Sequence, residues 1–281
     1  MKLKIIASSV DRLKSILSPI VSLRKYCVLR FTPTTLHVVS AELSQPQVWC
    51  KLSSDIFDVY EVESLRDNTI SLEMNVEQLY QVLKQFERSN ADQIAIRLQK
   101  KETNAGRRAA NIGVYFSDTV DVTSRVDHHF EIPVRLLRKE SDDRIREPEL
   151  VKVDVMMRLP EDIHGLFKRV ERYKSAGLIK VRGSSLGKLS LHIEDDSNVN
   201  LSVSWNELLE VTGRDEDGSQ LDDVEHEVTV KMKDWKMGSR ICEVCKTMIL
   251  IISSDEAMVL HCTLDEDETC EIIYFVGAVM Q

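Results

Sequence analysis

Residues 160–172 read Pro-Glu-Asp-Ile-His-Gly-Leu-Phe-Lys-Arg-Val-Glu-Arg, and this stretch carries the pattern from which the fold is predicted. Its apolar residues follow the i, i+3, i+4, i+7 spacing of one helix face, at Ile163, Leu166, Phe167 and Val170. The same spacing occurs twice more, at Leu13, Ile16, Leu17 and Ile20 and at Val76, Leu79, Tyr80 and Leu83. The spacing predicts helices over 9–25, 75–88 and 161–174.

A fourth helix is predicted over 233–246, where Trp235 and Cys242 are apolar but Gly238 interrupts the pattern. Pro19 is expected to end or kink the first helix near its last turn, because proline lacks the backbone N–H that helix bonding needs. Asn75 precedes the second helix and is expected to cap it, since a side-chain oxygen can accept from the free N–H groups of the first turn.

Most of the remaining chain consists of short β-rich runs, which outnumber the helices several-fold and seldom alternate with them one for one. This order favours an α+β fold with largely antiparallel sheets over a doubly wound parallel sheet. The order of elements also repeats, because the first and third helices start about 151 residues apart and the second and fourth about 157 apart. We therefore predict two copies of one domain, at 1–138 and 151–281, joined by a charged connector at 139–150.

The composition is that of an ordinary globular chain. The 281 residues are 43% hydrophobic and 30% charged, with a formal net charge of -9. No apolar run approaches the length that a membrane helix needs, and the apolar part of the first seven residues is too short for a signal peptide. The protein is therefore expected to be intracellular, with its six cysteines reduced.

Three motifs invite chemical interpretations that their context weakens. Cys242 and Cys245 lack the two further ligands that structural zinc needs at fixed spacing, so two small thiols at a helix end are the preferred interpretation. The stretch 183–189 has one residue too few between its glycines for a phosphate loop and is predicted to be a hairpin turn. His128 and His129 are adjacent on a strand and should point to opposite faces.

Charge is distributed unevenly between the predicted helices and the rest of the chain. The four helices hold fourteen Lys and Arg against eight Asp and Glu, a net charge of +6, which leaves -15 on everything else. If the helices share one side of the sheets, that side is basic and could contact phosphates.

Several stretches resemble the hydroxyurea-sensitivity (Hus) family of subunits of the nine-one-one checkpoint clamp, within the proliferating cell nuclear antigen-like superfamily. They are Leu-Arg-Phe-Thr-Pro at 29–33, Val-Trp-Cys at 48–50, Ile-Pro-Val-Arg-Leu-Leu at 132–137, Arg-Glu-Pro at 146–148, Met-Arg-Leu-Pro at 157–160 with the helix after it, and 233–261. The resemblance runs through essentially the whole chain in order. It implies a DNA-clamp fold with two duplicated domains, antiparallel sheets outside and four helices on one face.

The resemblance also implies a function and partners. The chain would be a non-catalytic nuclear protein, without a cofactor, that closes a ring around double-stranded DNA together with two other checkpoint clamp subunits. An ATP-dependent loader would open the ring, and checkpoint and repair proteins would dock on its surface.

Residues are carried over from the family position by position. The helix residues implied to face DNA are Lys14, Lys84, Lys168, Arg172, Lys236 and Arg240. Arg12, Arg24, Lys25, Arg88 and Lys233 form a second group that could be turned aside. The edge strands implied to join neighbouring subunits carry Phe130, Ile132, Val134 and Leu136 in the first copy and Val199, Leu201 and Val203 in the second.

Two other functions stay open at this point. The first is a homotrimeric replication clamp that serves as a polymerase processivity factor. The second is a metal-dependent enzyme that would use Cys242, Cys245, His261 and Cys262.

Overall fold

The structure is a computed structural model, and it describes residues 1–41, 46–102, 108–121, 124–173, 176–194, 200–211 and 223–279. The chain divides into two compact units. The first unit comprises Met1–Ala41 with Trp49–Arg146, and the second comprises Glu42–Val48 with Glu147–Gln281. The division at Arg146 falls inside the segment that the sequence predicts as a connector.

The first unit is one sheet with a pair of helices. Its elements are β1 Lys2–Ala7, α1 Asp11–Leu23, β2 Tyr26–Phe31, β3 Thr35–Ser40, β4 Gln47–Ser53, a 3-10 turn at Ser54–Ile56, β5 Val59–Glu63, β6 Ile70–Asn75, α2 Val76–Arg88, β7 Ile94–Glu102, β8 Arg108–Asp121, β9 Ser124–Leu136 and the short helix α3 Lys139–Asp142. The strand order is β4-β3-β2-β6-β9-β8-β7-β1-β5. Neighbouring strands run antiparallel, for example β1 with β5 and β7, and β9 with β6 and β8.

Local signals explain where α2 begins. The strand β6 ends at Asn75, whose side chain accepts a hydrogen bond from the backbone N–H of Glu77 at 3.1 Å. This bond satisfies one of the donors that a helix start leaves free. The face carrying Leu79, Leu83 and Phe86 is buried, so the predicted cap and the predicted apolar face are both confirmed.

The expectation for Pro19 is wrong in one respect, because α1 continues past it to Leu23. Proline deprives the carbonyl of Ser15 of its helix donor, which normally weakens a helix interior. Here Pro19 is itself buried, next to the buried Ile16 and Ile20 on the same helix. Packing of this apolar face therefore outweighs the lost hydrogen bond.

The second unit repeats the arrangement with two groups of strands. Its elements are β10 Val155–Leu159, a 3-10 turn at Glu161–Ile163, α4 His164–Val170, β11 Leu178–Ser184, β12 Leu189–Glu194, β13 Asn200–Ser204, β14 Glu210–Val211, β15 Glu225–Lys231, α5 Met232–Cys242, β16 Thr247–Ser253, β17 Ala257–Thr263 and β18 Cys270–Gly277. One group has the order β14-β10-β16-β17-β18, and the other has the order β13-β12-β11-β15.

The two units share one order of elements, apart from α3. Each runs strand, helix, five strands, helix, three strands. The pairings also correspond, since β10 pairs with β14 and β16 as β1 pairs with β5 and β7. The predicted α+β class is confirmed. The predicted helix over 161–174 is shortened to a 3-10 turn and α4.

The glycine-containing stretch at 183–189 is a turn between β11 and β12, as predicted. Gly187 has φ +91°, and a Cβ there would lie 2.1 Å from the carbonyl oxygen of Leu209, so the turn requires glycine. The acidic stretch 213–220 lies outside the described residues. Within the described ranges, no helix has the length and apolarity required to cross a membrane.

Candidate nucleic-acid and subunit interfaces

In the first unit the predicted DNA-facing residues Lys14 and Lys84 lie on the two packed helices. Lys14 on α1 forms an ion pair with Glu87 on α2, and this hydrogen bond raises the pKa of the Lys14 ammonium above its ordinary value. Lys84 lies over the ring of Tyr80 at 4.4 Å, one turn earlier on α2. A carboxylate therefore offsets the charge of Lys14, while the side chain of Lys84 contacts an aromatic ring.

In the second unit the predicted residues lie on or just after two packed helices. Lys168 on α4 forms a 3.0 Å ion pair with Glu243, which follows α5. Lys236 and Arg240 lie one turn apart on α5, and no carboxylate lies within 4.0 Å of either side chain in the described part of the chain. Arg172 is exposed in the turn that follows α4, so it is not on the helix where the sequence placed it.

The helices as observed keep an excess of cations, but the two units differ. The helices α1 and α2 hold four Lys or Arg and three Asp or Glu, a net charge of +1. The helices α4 and α5 hold five against one, a net charge of +4. That one acid is Asp234, and burial raises its pKa above the ordinary value despite the nearby Lys233. The net positive charge of the helices is therefore greater in the second unit than in the first.

The first predicted edge strand differs from expectation. The strand β9 lies between β6 and β8, and Val134 and Leu136 pair with Met74 and Leu72 of β6, so these two residues are not at an edge. The reason is the unequal length of the strands, because β6 ends where α2 begins and β9 extends well past it. Phe130 and Ile132 lie in the extension, whose pairing in the described residues is with β8 alone.

Side chains along this extension are packed rather than loose. Phe130 and Phe116 stack at 5.9 Å, and His128 stacks on Phe116 at 4.6 Å. On the other face, His129 stacks on Tyr115 at 4.4 Å. The two histidines therefore point to opposite faces, as predicted.

The second predicted edge strand is β13, which is the outer strand of its group and pairs with β12. Leu201 and Val203 are half-buried and point to the same face, while Asn200, Ser202 and Ser204 are exposed. Val199 lies outside the described residues. The side of β13 away from β12 pairs with no other strand of the described chain, so its backbone groups there can accept a partner strand.

The cysteines are mostly buried thiols. Cys242, the last residue of α5, is buried, Cys245 is half-buried just beyond it, and none of the six cysteines, all of which lie in the described ranges, forms a disulfide. Contact with Cys242 and Cys245, together with burial, raises the pKa of the Cys262 thiol well above its ordinary value. Across the described ranges, no group of three or more His, Cys, Asp or Glu is arranged to hold a metal ion.

One cluster in the first unit was missed by the sequence prediction, which treated 139–150 as a solvated connector. Asp142 is 3% exposed, and its carboxylate accepts hydrogen bonds from Arg30, Arg66 and Ser71. Burial alone would raise the pKa of Asp142, but these donors hold it below its ordinary value. The partners are 71 to 112 residues away in sequence, so no local signal could have revealed them.

Two units of equal topology, each with a pair of helices carrying surplus positive charge, define a sliding-clamp fold. Solved structures agree. The Proliferating Cellular Nuclear Antigen of Entamoeba histolytica superposes with a TM-score of 0.73 at 12% identity, over 99% of each chain. A chain of the PCNA2-PCNA3 complex of Sulfolobus tokodaii gives a TM-score of 0.69 at 16% identity, again over 99% of each chain.

Sequence comparison identifies the family to which this sliding-clamp chain belongs. The model of the Hus1-like protein family matches residues 1–280, so the chain belongs to the Hus1-like family. Two relatives align over 99% of both chains. They are the DNA damage checkpoint control protein MEC3 of Eremothecium gossypii, at 28% identity, and the checkpoint protein hus1 of Schizosaccharomyces pombe, at 25%. The predicted family and clamp fold are confirmed.

Proposed function

We propose that this chain is a non-catalytic subunit of a heterotrimeric ring that encircles double-stranded DNA and acts in DNA damage checkpoint signalling and repair. The observation that carries the proposal is the whole-chain match to the Hus1-like family, combined with two units of clamp topology. The relatives that align from end to end bear the names of checkpoint proteins. Such a role supports a nuclear location for the chain.

The cations of the helices support contact with DNA. Lys236 and Arg240 carry charges that no carboxylate within 4.0 Å offsets in the described chain, and Arg172 is exposed in the turn that follows α4. Such side chains attract phosphates without reading bases, which suits a ring that must slide. The rest of the chain is acidic in total, and this net negative charge opposes non-specific binding of phosphates.

The open strand sides support assembly with neighbours. Main-chain groups along the outer side of β13 and along the extension of β9 can each pair with a strand of another subunit. One such edge on each unit allows subunits to join head to tail. A head-to-tail arrangement closes into a ring when the rotation from one subunit to the next completes a full turn.

The partners follow from the proposal. Two other clamp subunits would complete the ring, an ATP-dependent loader would open it, and checkpoint and repair proteins would dock on the assembled surface. The chain itself would supply positioning rather than chemistry.

The mass and composition of the native complex test the proposal. Co-expression with two other clamp subunits, followed by size-exclusion chromatography with light scattering, is expected to yield a complex with one copy of each chain. A ring of three copies of this chain would instead favour the replication-clamp alternative. A stable monomer that ignores both partners would contradict ring assembly altogether.

A further inference from the structure

The buried carboxylate of Asp142 holds two arginine side chains in fixed positions on the first unit. Arg30 donates from Nε at 3.0 Å and from Nη2 at 2.8 Å, and Arg66 donates from Nη2 at 2.8 Å to the other carboxylate oxygen. Backbone carbonyls fix the guanidinium groups further, since Ile145 accepts from Arg30 and Leu137 accepts from Arg66. Two planar cations are thus oriented in advance of any ligand.

Each arginine has guanidinium N–H donors that form no hydrogen bond in the described structure. A guanidinium has five N–H donors, and the hydrogen bonds of Arg30 use Nε and Nη2 and leave its Nη1 group unused in the described structure. Arg66 uses Nη1 and Nη2 and leaves its Nε unused. The carboxylate that orients both groups neutralises one of the two charges, so the pair keeps a net positive charge as well as free donors.

These arginines line a cavity of about 550 Å³, which is open to solvent and of the size that binds short peptide or drug-sized ligands. Two further cations, Lys139 and Arg146, line it from the segment after β9. Leu65 also lines it, from the turn between β5 and β6, and its side chain is fully exposed. The cavity therefore combines four cations with one apolar side chain that nothing in the described chain covers.

We propose that this cavity binds a short acidic peptide segment that carries an apolar side chain, with the acidic groups on the arginines and the apolar group on Leu65. Arginine clusters recognise carboxylates through paired N–H donors, and such clusters are a common basis for acidic-motif recognition. The site lies within one unit and needs no ring. It therefore stands or falls separately from the proposed DNA-clamp function.

A peptide fits the rim better than a nucleic acid does. Asp67 and Asp143 also line the cavity, and their carboxylates would repel a continuous polyanion. A peptide can direct single acidic side chains toward the cations and keep its backbone amides near these acids. The exposed Leu65 has no role in phosphate binding but gives an apolar contact to a peptide side chain.

The test uses the full-length chain and a labelled synthetic peptide with aspartates and glutamates on either side of one leucine, followed by fluorescence anisotropy. The rim variant combines Lys139→Glu with Arg146→Glu. The matched control combines Arg138→Glu with Arg144→Glu, which makes the same charge change in the same segment at two exposed residues that do not line the cavity. Neither variant touches Asp142 or its two arginines, and thermal unfolding verifies that both variants stay folded.

We expect saturable binding to the wild type and the control, and a loss of about tenfold or more in affinity for the rim variant, about 1.4 kcal/mol. Replacing the leucine of the peptide with serine, or Leu65 with serine in the protein, should each weaken binding. Absence of saturable binding, or equal loss in rim variant and control, would overturn the proposal. Displacement of the peptide by inorganic phosphate at equal concentration would also overturn it, because the site would then recognise a bare anion.

Discussion

The two units have the same strand order, yet their sheets are connected differently. In the first unit β6 pairs with β9, which joins nine strands into one sheet. The counterparts in the second unit are β15 and β18, and there a hydrogen bond from Val279, just after β18, to Thr229 of β15 stands in place of a ladder. The β8–β9 hairpin is nearly twice as long as β17–β18, and this length allows β9 to pair with β6 and still extend past it.

The helix pairs differ in the opposite sense. The helix pair of the first unit, α1 and α2, has a net charge of +1 and contains the ion pair between Lys14 and Glu87. The helix pair of the second unit, α4 and α5, has a net charge of +4. Duplication has thus preserved the topology while edges and charges diverged. The first unit has the longer continuous sheet and the anchored connector, and the second has the more positive helix pair.

The largest expected effect comes from the buried carboxylate of the first unit. Asp142→Ala should lower the free energy of unfolding by about 3 kcal/mol, because two half-buried guanidinium groups lose their partner. Asp154→Ala in the second unit should cost only about 1 kcal/mol, since the side chain of its partner Lys152 is largely exposed. Urea denaturation of both variants measures the difference. Equal losses would mean that the hydrogen bonds of Asp142 to Arg30 and Arg66 stabilise the protein no more than the ion pair of Asp154 with Lys152 does.

The turn after β11 provides the next test. Gly187→Ala should cost about 2 kcal/mol or more, because an added Cβ meets a backbone carbonyl and φ is positive. The corresponding turn of the first unit, at 32–34, contains no glycine. Gly177→Ala is the control, since nothing lies within 4 Å of its added Cβ. A stable Gly187→Ala protein would show that the turn has another conformation available.

The charge difference between the helix pairs predicts unequal DNA binding by the assembled ring. Lys236→Glu with Arg240→Glu should weaken binding about tenfold at low salt, since two cations without carboxylate partners are reversed. Lys84→Glu with Arg88→Glu in the first unit should weaken it about threefold. Electrophoretic mobility shifts over a range of salt concentrations compare the two. Equal effects would contradict the predicted difference between the two helix pairs. No effect from either variant would contradict the prediction that these residues face DNA.

A smaller effect concerns pH and Asp154. Burial raises the pKa of its carboxyl, but hydrogen bonds from Lys152 and from the backbone N–H of Ser254 outweigh this and lower it to about 2. Its folded pKa lies below its ordinary value of 3.8, so its contribution to stability is present above about pH 4 and is lost as the pH falls toward 2. The stability gap between wild type and Asp154→Asn should therefore shrink from pH 5 to pH 2.5. A gap that stays constant would exclude this linkage.

The sequence predicted what depends on neighbouring residues. The start of α2 was predictable because both the cap at Asn75 and the apolar spacing are local. The length of α4 was not, because the spacing identifies a buried face but not the point where hydrogen bonding stops, and Arg172 fell beyond that point. The continuation of α1 past Pro19 was not predictable for a similar reason, since burial of its ring is a tertiary effect.

Long-range pairing set the other limit. The interior position of Val134 and Leu136 depends on β6, which precedes them by about 60 residues, and the sequence carries no sign of that register. Asp142 is a second case, because a charged stretch ordinarily indicates solvent and its arginine partners lie on β2 and on the turn before β6. The domain boundaries and the DNA-facing residues remain predictions.

The contact between Trp235 and Phe167 has an optical consequence. The two rings meet edge to face with centroids 4.5 Å apart, and they join α5 to α4. Trp235 is 1% exposed, so its indole emits from an apolar, water-free environment, and its fluorescence should be blue-shifted. Any movement that separates the two helices would admit water and shift that emission to the red. Trp235 is thus an intrinsic fluorescent probe of the packing between α4 and α5, the helix pair with the greater net positive charge.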